Sequence, residues 1–185
     1  MSSAYWNYFI SLEKDFIRTL DFIELTPANA ATYGDNFAKL ILAAGSEVDV
    51  ICKALCDLVA PGSRPQNIWQ YKGVVTQAFP KIHTAEIMVQ RNGQVIVPWA
   101  SWDPEIAKSP EWWSAYNHIK HDRVANFALA SQENALNSLC GLLVLNRYYH
   151  RAAGDIGHPE PFPDLLDAGT PAYIVESGYR TLAGL

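Results

Sequence analysis

Trp112-Trp113-Ser114-Ala115-Tyr116-Asn117-His118-Ile119-Lys120-His121-Asp122-Arg123 sets two histidines, an amide and two cations beside three aromatic rings. Ser109-Pro110-Glu111 stands just before it and reads as a helix start: Ser caps, Pro fits the first turn and Glu complements the dipole. On that helix Trp113, Asn117 and His121 follow at i, i+4 and i+8, while Tyr116 and Lys120 occupy the adjacent row. One face therefore presents Tyr, Asn, Lys and His together. Aromatic bodies that exclude water strengthen the contacts such donors make with a bound anion. The same composition suits a helix that buries one face and satisfies its polar groups in an internal network, so both readings stand at this point.

Downstream, Val124, Phe127, Ala128, Leu136, Leu139, Leu143 and Tyr148 form an apolar stripe over residues 122–151, which predicts the longest and central helix, stopped at Gly154. Upstream, Phe9, Leu12, Phe16, Leu20 and Ile23 recur at helical spacing from Tyr5 to about Leu25, ended by Thr26-Pro27. A second helix starts at Asp35 as its cap, buries Phe37, Leu40, Ile41, Ala44, Val48, Ile51 and Leu55, and stops at Pro61-Gly62. Two long helices with a short connection pack most readily as an antiparallel pair. A short helix is expected over Pro65 to Phe79. Residues 85–90 and 94–97 flank Asn92-Gly93 and read as a β-hairpin with a tight primed turn, inserted in the helical domain at about 83–99. An isolated hairpin is marginal, so it should lie against helices or pair with another strand. The segment from about 154 to 185 carries Pro159, Pro161, Pro163 and Pro171 and should run over the surface, with Ala172 to Val175 a short strand.

The chain has 185 residues, the length of a single domain, and its 49% hydrophobic and 18% charged residues provide for a sizeable core rather than extended disorder. Its formal charge of −5 advertises no general affinity for nucleic acid, which needs at least a local positive patch. Lys120, Arg123, Arg147 and Arg151 supply one only if the fold gathers them. Cys52, Cys56 and Cys140 are an odd set in apolar helical contexts, without zinc spacing, and read as reduced core residues. The first residues do not resemble a signal peptide, and the longest apolar stretch, about Leu136 to Leu145, is too short to span a bilayer; the expected location is the cytoplasm.

Two N-terminal helices followed by a last long helix that Asn117-x-x-x-His121 precedes resemble the HEPN superfamily of helical bundle domains. Members carry Arg-Asn-x-x-x-His, more generally Arg-x4-6-His, at the start of the last helix. They usually dimerise so that two motifs face one another, and many cut RNA without a metal ion. The resemblance covers roughly residues 5–60 and 110–151. Tyr116 stands where the family arginine belongs, and His121 where the family histidine does. A phenol is neutral at pH 7 and cannot replace a guanidinium in kind. The resemblance implies a catalytic set of His121 as acid/base, Asn117 as orienting group and Tyr116 in the arginine's place, with Lys120 or Arg123 at the phosphate and Trp113 and His118 as further substrate contacts. Glu47 or Asp49 from an earlier helix would support the motif, with Glu13 a further acidic possibility, although helical carboxylates ordinarily face water.

His118 and His121 at i, i+3 suit a metal only with a third ligand, which the sequence does not offer. Arg151 and His158 match the relaxed motif spacing, but Gly154 and Gly157 break any helix between them. No phosphate-binding loop, dinucleotide pattern or nucleophile elbow occurs. The expectation is thus one mainly helical, HEPN-like domain over residues 1–185, without cofactor or metal, forming a homodimer that brings two Tyr116–His121 segments together. Two functions follow from it. One is RNA binding or metal-independent RNA cleavage in a bacterial defence or toxin-like setting. The other is a noncatalytic module for a protein partner, in which the same residues are structural.

Overall fold

The computed structural model describes residues 4–155, 157 and 159–169. Helix α1, Ala4–Thr19, turns Trp6, Phe9 and Phe16 inward. It ends before the expected Leu25, because the Thr19 hydroxyl donates to the Phe16 carbonyl and the N–H groups of Leu20, Phe22 and Ile23 close tight turns on Ile17 and Thr19. Leu20 and Leu25 still reach the core from these turns, while Phe22 is left on the surface. Helix α2, Asp35–Val59, follows; Gly34 holds the cap position, so Asp35 is a first-turn carboxylate rather than the expected cap. There it complements the helix dipole and accepts from Arg123 at 2.9 Å. The two helices run antiparallel: the Phe16 and Phe37 rings meet at 6.2 Å, whereas Tyr5, at the opposite end of α1, lies within electrostatic reach of Glu47, farther along α2.

Helix α3, Ile68–Ala78, begins at Asn67, whose side-chain oxygen accepts the Trp69 and Gln70 N–H groups, both at 3.1 Å. Strands β1, Ile87–Val89, and β2, Val95–Ile96, then pair antiparallel with Ile87 opposite Ile96. The primed two-residue turn expected at Asn92-Gly93 is replaced by a longer loop. Both N–H groups donate to the Val89 carbonyl, and of the two residues only Gly93 has a positive φ, +72°. A type I′ turn requires positive φ at both central positions. β1 also pairs with β3, Leu166–Asp167, placing Val89 opposite Leu166 in a sheet of order β2-β1-β3. The hairpin thus gains the partner it needs from the C-terminal segment. The strand expected over 172–175 lies outside the described residues.

Helix α4, Glu111–His121, carries the aromatic and basic stretch, with Pro110 rather than Ser109 at its cap position and no side-chain cap bond. The chain then leaves the helix. Asp122 Oδ1 accepts the Ala125 N–H and Asn126 Nδ2 donates to the Asp122 carbonyl, local bonds that compete with continuation. Helix α5, Gln132–Ala152, starts only after Ser131, whose hydroxyl accepts the Asn134 N–H at 3.2 Å. Val124, expected on the buried stripe, is consequently exposed on this connection. α2 is the longest helix, with 25 residues against 21 for α5. α5 is nonetheless central, packing on α1, α2 and α4 and burying nearly every residue from Ala135 to Asn146.

Glu13, expected to face water, is only 1% exposed. Its Oε2 accepts the Asp164 N–H at 2.9 Å, and its Oε1 accepts those of Leu165 and Leu166 at 3.0 and 2.9 Å. Trp6 Nε1 donates to the Pro161 carbonyl at 2.9 Å. With Leu165 and Leu166 buried, this part of the C-terminal segment is strapped into the core instead of running over the surface. The three cysteines are buried free thiols. Among the described residues no helix is long and apolar enough to cross a membrane.

Candidate functional site

α4 is seated by ring-on-glycine contacts. A Cβ on Gly45 of α2 would stand 2.3 Å from Tyr116 Cδ2, and one on Gly141 of α5 would stand 2.6 Å from Trp112 Cζ2. Only glycine lets the backbones approach the rings this closely. Trp112 Nε1 donates to the Pro98 carbonyl at 2.9 Å, and Trp99 Nε1 to the Gly141 carbonyl at 3.1 Å, so the indoles bury without orphaning their N–H groups. Trp99 and Trp112 pack edge to face at 5.1 Å, and Trp113 tilts against Tyr116 at 5.0 Å. Tyr116, 5% exposed, is therefore a core residue by packing.

The outer row of α4 meets α2 and the start of α3 across a cleft of ≈ 430 Å³ that gathers Trp113, Tyr116, Asn117 and Lys120 with Asp49 and Lys53. Asp49 is committed within it: Oδ1 accepts the Tyr71 hydroxyl at 2.8 Å and Oδ2 accepts Lys53 Nζ at 2.6 Å. Burial and this bond to Asp49 push the Tyr71 phenol well above its ordinary range, so it stays a donor. Lys120 is exposed, with Nζ 5.4 Å from the Tyr116 ring centroid. Asn117 Nδ2 donates back to the Trp113 carbonyl at 3.0 Å, leaving its side-chain oxygen as the acceptor it can offer. Asn67, whose oxygen caps α3, lines the cleft as well. Lys53 and Lys120 against one carboxylate make the cleft locally positive in a chain of net charge −5.

The expected site divides at this point. Asn117, Lys120, Tyr116, Trp113 and Asp49 share the cleft, but His121, exposed at the end of α4, is not among its lining residues. His118 opens on a separate cleft of ≈ 570 Å³ between α4 and α5, beside Ser101 and Glu133. Arg123, expected at the phosphate, is held instead by Asp35 and stacks at 5.6 Å on Phe127. Glu47, expected to support the motif, is half-buried toward α1, near Tyr5, and desolvation raises its carboxyl above the ordinary range. Asp49 does reach the cleft, yet its partners are Tyr71 and Lys53 rather than His121. Among the described residues no three His, Cys, Asp or Glu side chains converge as metal ligands.

Asn67 lines the cleft and Tyr71 is buried behind it on Asp49, and neither was singled out in the sequence. Asn67 was findable, since an Asn before an apolar helical run is an N-cap signal. Tyr71 was not, because only the packing of α3 on α2 brings it to Asp49. Lys72 was equally silent: its ammonium donates to the carbonyls of Ser101, Asp103 and Ile106 at 3.0, 2.9 and 2.7 Å and so fixes the segment leading into α4.

No family model matches this chain, and no curated protein or solved structure matches it either.

Proposed function

We propose that this protein is a noncatalytic, HEPN-like interaction module in which the Trp112–Arg123 stretch is the buttress that seats α4 on the bundle. The observation that carries the reading is the separation of the two motif positions. Tyr116, at the family arginine position, is packed into the Gly45 notch of α2, while His121 stands outside the cleft that collects Asn117 and Lys120. General acid/base work requires the base within hydrogen-bond reach of the reacting hydroxyl and a cation at the phosphate. Among the described residues, the two cations expected at the phosphate are used elsewhere: Arg123 is engaged by Asp35 and Lys120 lines the cleft.

The positive cleft favours a second, narrower reading, in which RNA is bound through a phosphate at Lys120 and is not cut. Both readings meet one experiment: incubation of purified protein with a mixed RNA pool in EDTA, with gel-shift and integrity measured side by side for wild type, His121→Ala and Lys120→Ala. The module reading expects intact RNA and no shift in every sample. A shift lost only in Lys120→Ala selects RNA binding. Cleavage by wild type that His121→Ala abolishes contradicts both.

A further inference from the structure

On the far side of α2 from Gly45 and Tyr116, α1 and α2 enclose a groove of ≈ 470 Å³ whose floor is Leu12, Leu40 and Ala43. Two aromatic residues wall it: Tyr8, and Phe22 at 89% exposure. An exposed apolar residue standing alone needs no explanation, but Phe22 and Tyr8 stand over the Leu12, Leu40 and Ala43 floor, with Ser11, Thr19 and Asn36 completing the lining. The trough follows α1 from Tyr8 to Thr19, about 16 Å at helical rise, or three turns. That length matches a helix laid in the groove with anchors at i, i+3 or i+4, and i+7.

The rim supplies the sign of the partner. Arg18 and Lys39 line the groove and both are exposed; Lys14, one turn before Arg18, extends the same flank. The opposing charge in the groove is Asp15, already paired with Arg18. Asp21, the next carboxylate along the chain, lies within electrostatic reach of Arg91. With Asp15 and Arg18 offsetting each other, the lining carries one net positive charge, on Lys39, and Lys14 adds a second on the α1 flank, on a chain of net charge −5. A two-fold pairing of this face with itself would set positive rim against positive rim, which disfavours a second copy as the occupant.

We infer that the α1–α2 groove is the docking site for an amphipathic helix of a partner protein, one with an apolar stripe flanked by acidic residues. The leucine-type anchors of such a helix fill the trough between Tyr8 and Phe22, and its carboxylates meet Lys39 and the Lys14–Arg18 flank. The inference rests on the reading of the chain as an interaction module. RNA cleavage lost in His121→Ala would overturn that reading without bearing on the groove, whereas a failure of helix binding overturns the groove alone.

The test is fluorescence anisotropy with a labelled synthetic helix of about four turns carrying Leu at i, i+4, i+7 and i+11 and Glu on both flanks. A second peptide has the same anchors with Lys in place of Glu. The full chain is expected to bind the Glu peptide saturably and the Lys peptide about tenfold more weakly. Phe22→Ser and Lys39→Glu, both at exposed positions and so without cost to folding, each weaken the Glu peptide by about tenfold, and Lys39→Glu narrows the gap to the Lys peptide. Equal affinity for the two peptides, no binding of the Glu peptide, or indifference to Phe22→Ser overturns the proposal. Sedimentation of the wild type as a dimer that Phe22→Ser converts to monomer also overturns it, by giving the groove to a second copy.

Discussion

Tyr116 decides how the helix that carries it is used. Its ring occupies the space that a side chain at position 45 would need, so ring and glycine are two halves of one contact. Tyr116→Arg would put a guanidinium into a buried, apolar notch. It is expected to destabilise the fold by about 3 kcal/mol or more in urea unfolding without producing RNA cleavage. Tyr116→Phe keeps the ring and is expected to change stability by less than about 1 kcal/mol. Behind the cleft, Tyr71→Phe removes the hydroxyl that Asp49 accepts but leaves Asp49 paired with Lys53, so a loss of about 1 kcal/mol is expected. Thermal melts of the three variants separate these effects: a Tyr116→Arg protein as stable as wild type shows that the ring is not wedged.

Among the elements, the strap at 161–166 depends on one carboxyl group. Desolvation raises the Glu13 pKa, and the three backbone N–H bonds, which favour the carboxylate, only partly oppose it. The folded state therefore holds more protons than the unfolded chain between the ordinary value of 4.5 and the raised one. The group's contribution to stability is fully present below the ordinary value and is lost as pH rises through the folded one. Glu13→Gln is expected to remove that slope from unfolding curves measured across this window. It also costs about 1–3 kcal/mol, because its amide NH2 faces the Asp164 N–H. An unchanged slope in Glu13→Gln assigns the pH dependence elsewhere. Lys72 is the counterpart on the other flank: Lys72→Met leaves three carbonyls without their shared donor and is expected to speed amide exchange over 101–106.

The helices were legible because each buries a stripe at helical spacing, and the hairpin because β-formers flank Asn92-Gly93. Their ends were less so. Thr19, Gly34, Pro110 and Ser131 set boundaries through single side-chain or cap geometries that periodicity averages over. Of the site, the sequence located α4, the Asn117–Lys120 row and Asp49 on the facing wall, but neither Asn67 nor Tyr71. Asp49, Asn67 and Tyr71 come together only through the packing of α2, α3 and α4. Glu13 was misplaced because an acidic residue opening the charged run Glu13-Lys14-Asp15 looks solvated until the C-terminal segment brings it three backbone donors.

For the molecule as a whole, α2 and α5 form a spine whose small residues, Gly45 and Gly141, admit aromatic rings from α4 on one side, while α1 and its groove occupy another. Aromatic content that suggested an active surface is thus spent largely on holding α4 in place, and the exposed polar groups are spread over the Lys120 cleft, the His118 cleft and the α1–α2 groove. Whether Tyr116 is wedged against α2 as structure is read from a double-mutant cycle between Gly45→Ala and Tyr116→Ala, followed by urea unfolding. With the ring present, Gly45→Ala is expected to destabilise by about 1–3 kcal/mol through overpacking. With the ring removed, the same change is expected to be neutral or stabilising by up to about 1 kcal/mol, as for glycine to alanine in a helix interior. The cycle should therefore show a coupling of about 1 kcal/mol or more. Effects that add to within about 0.5 kcal/mol would contradict the account.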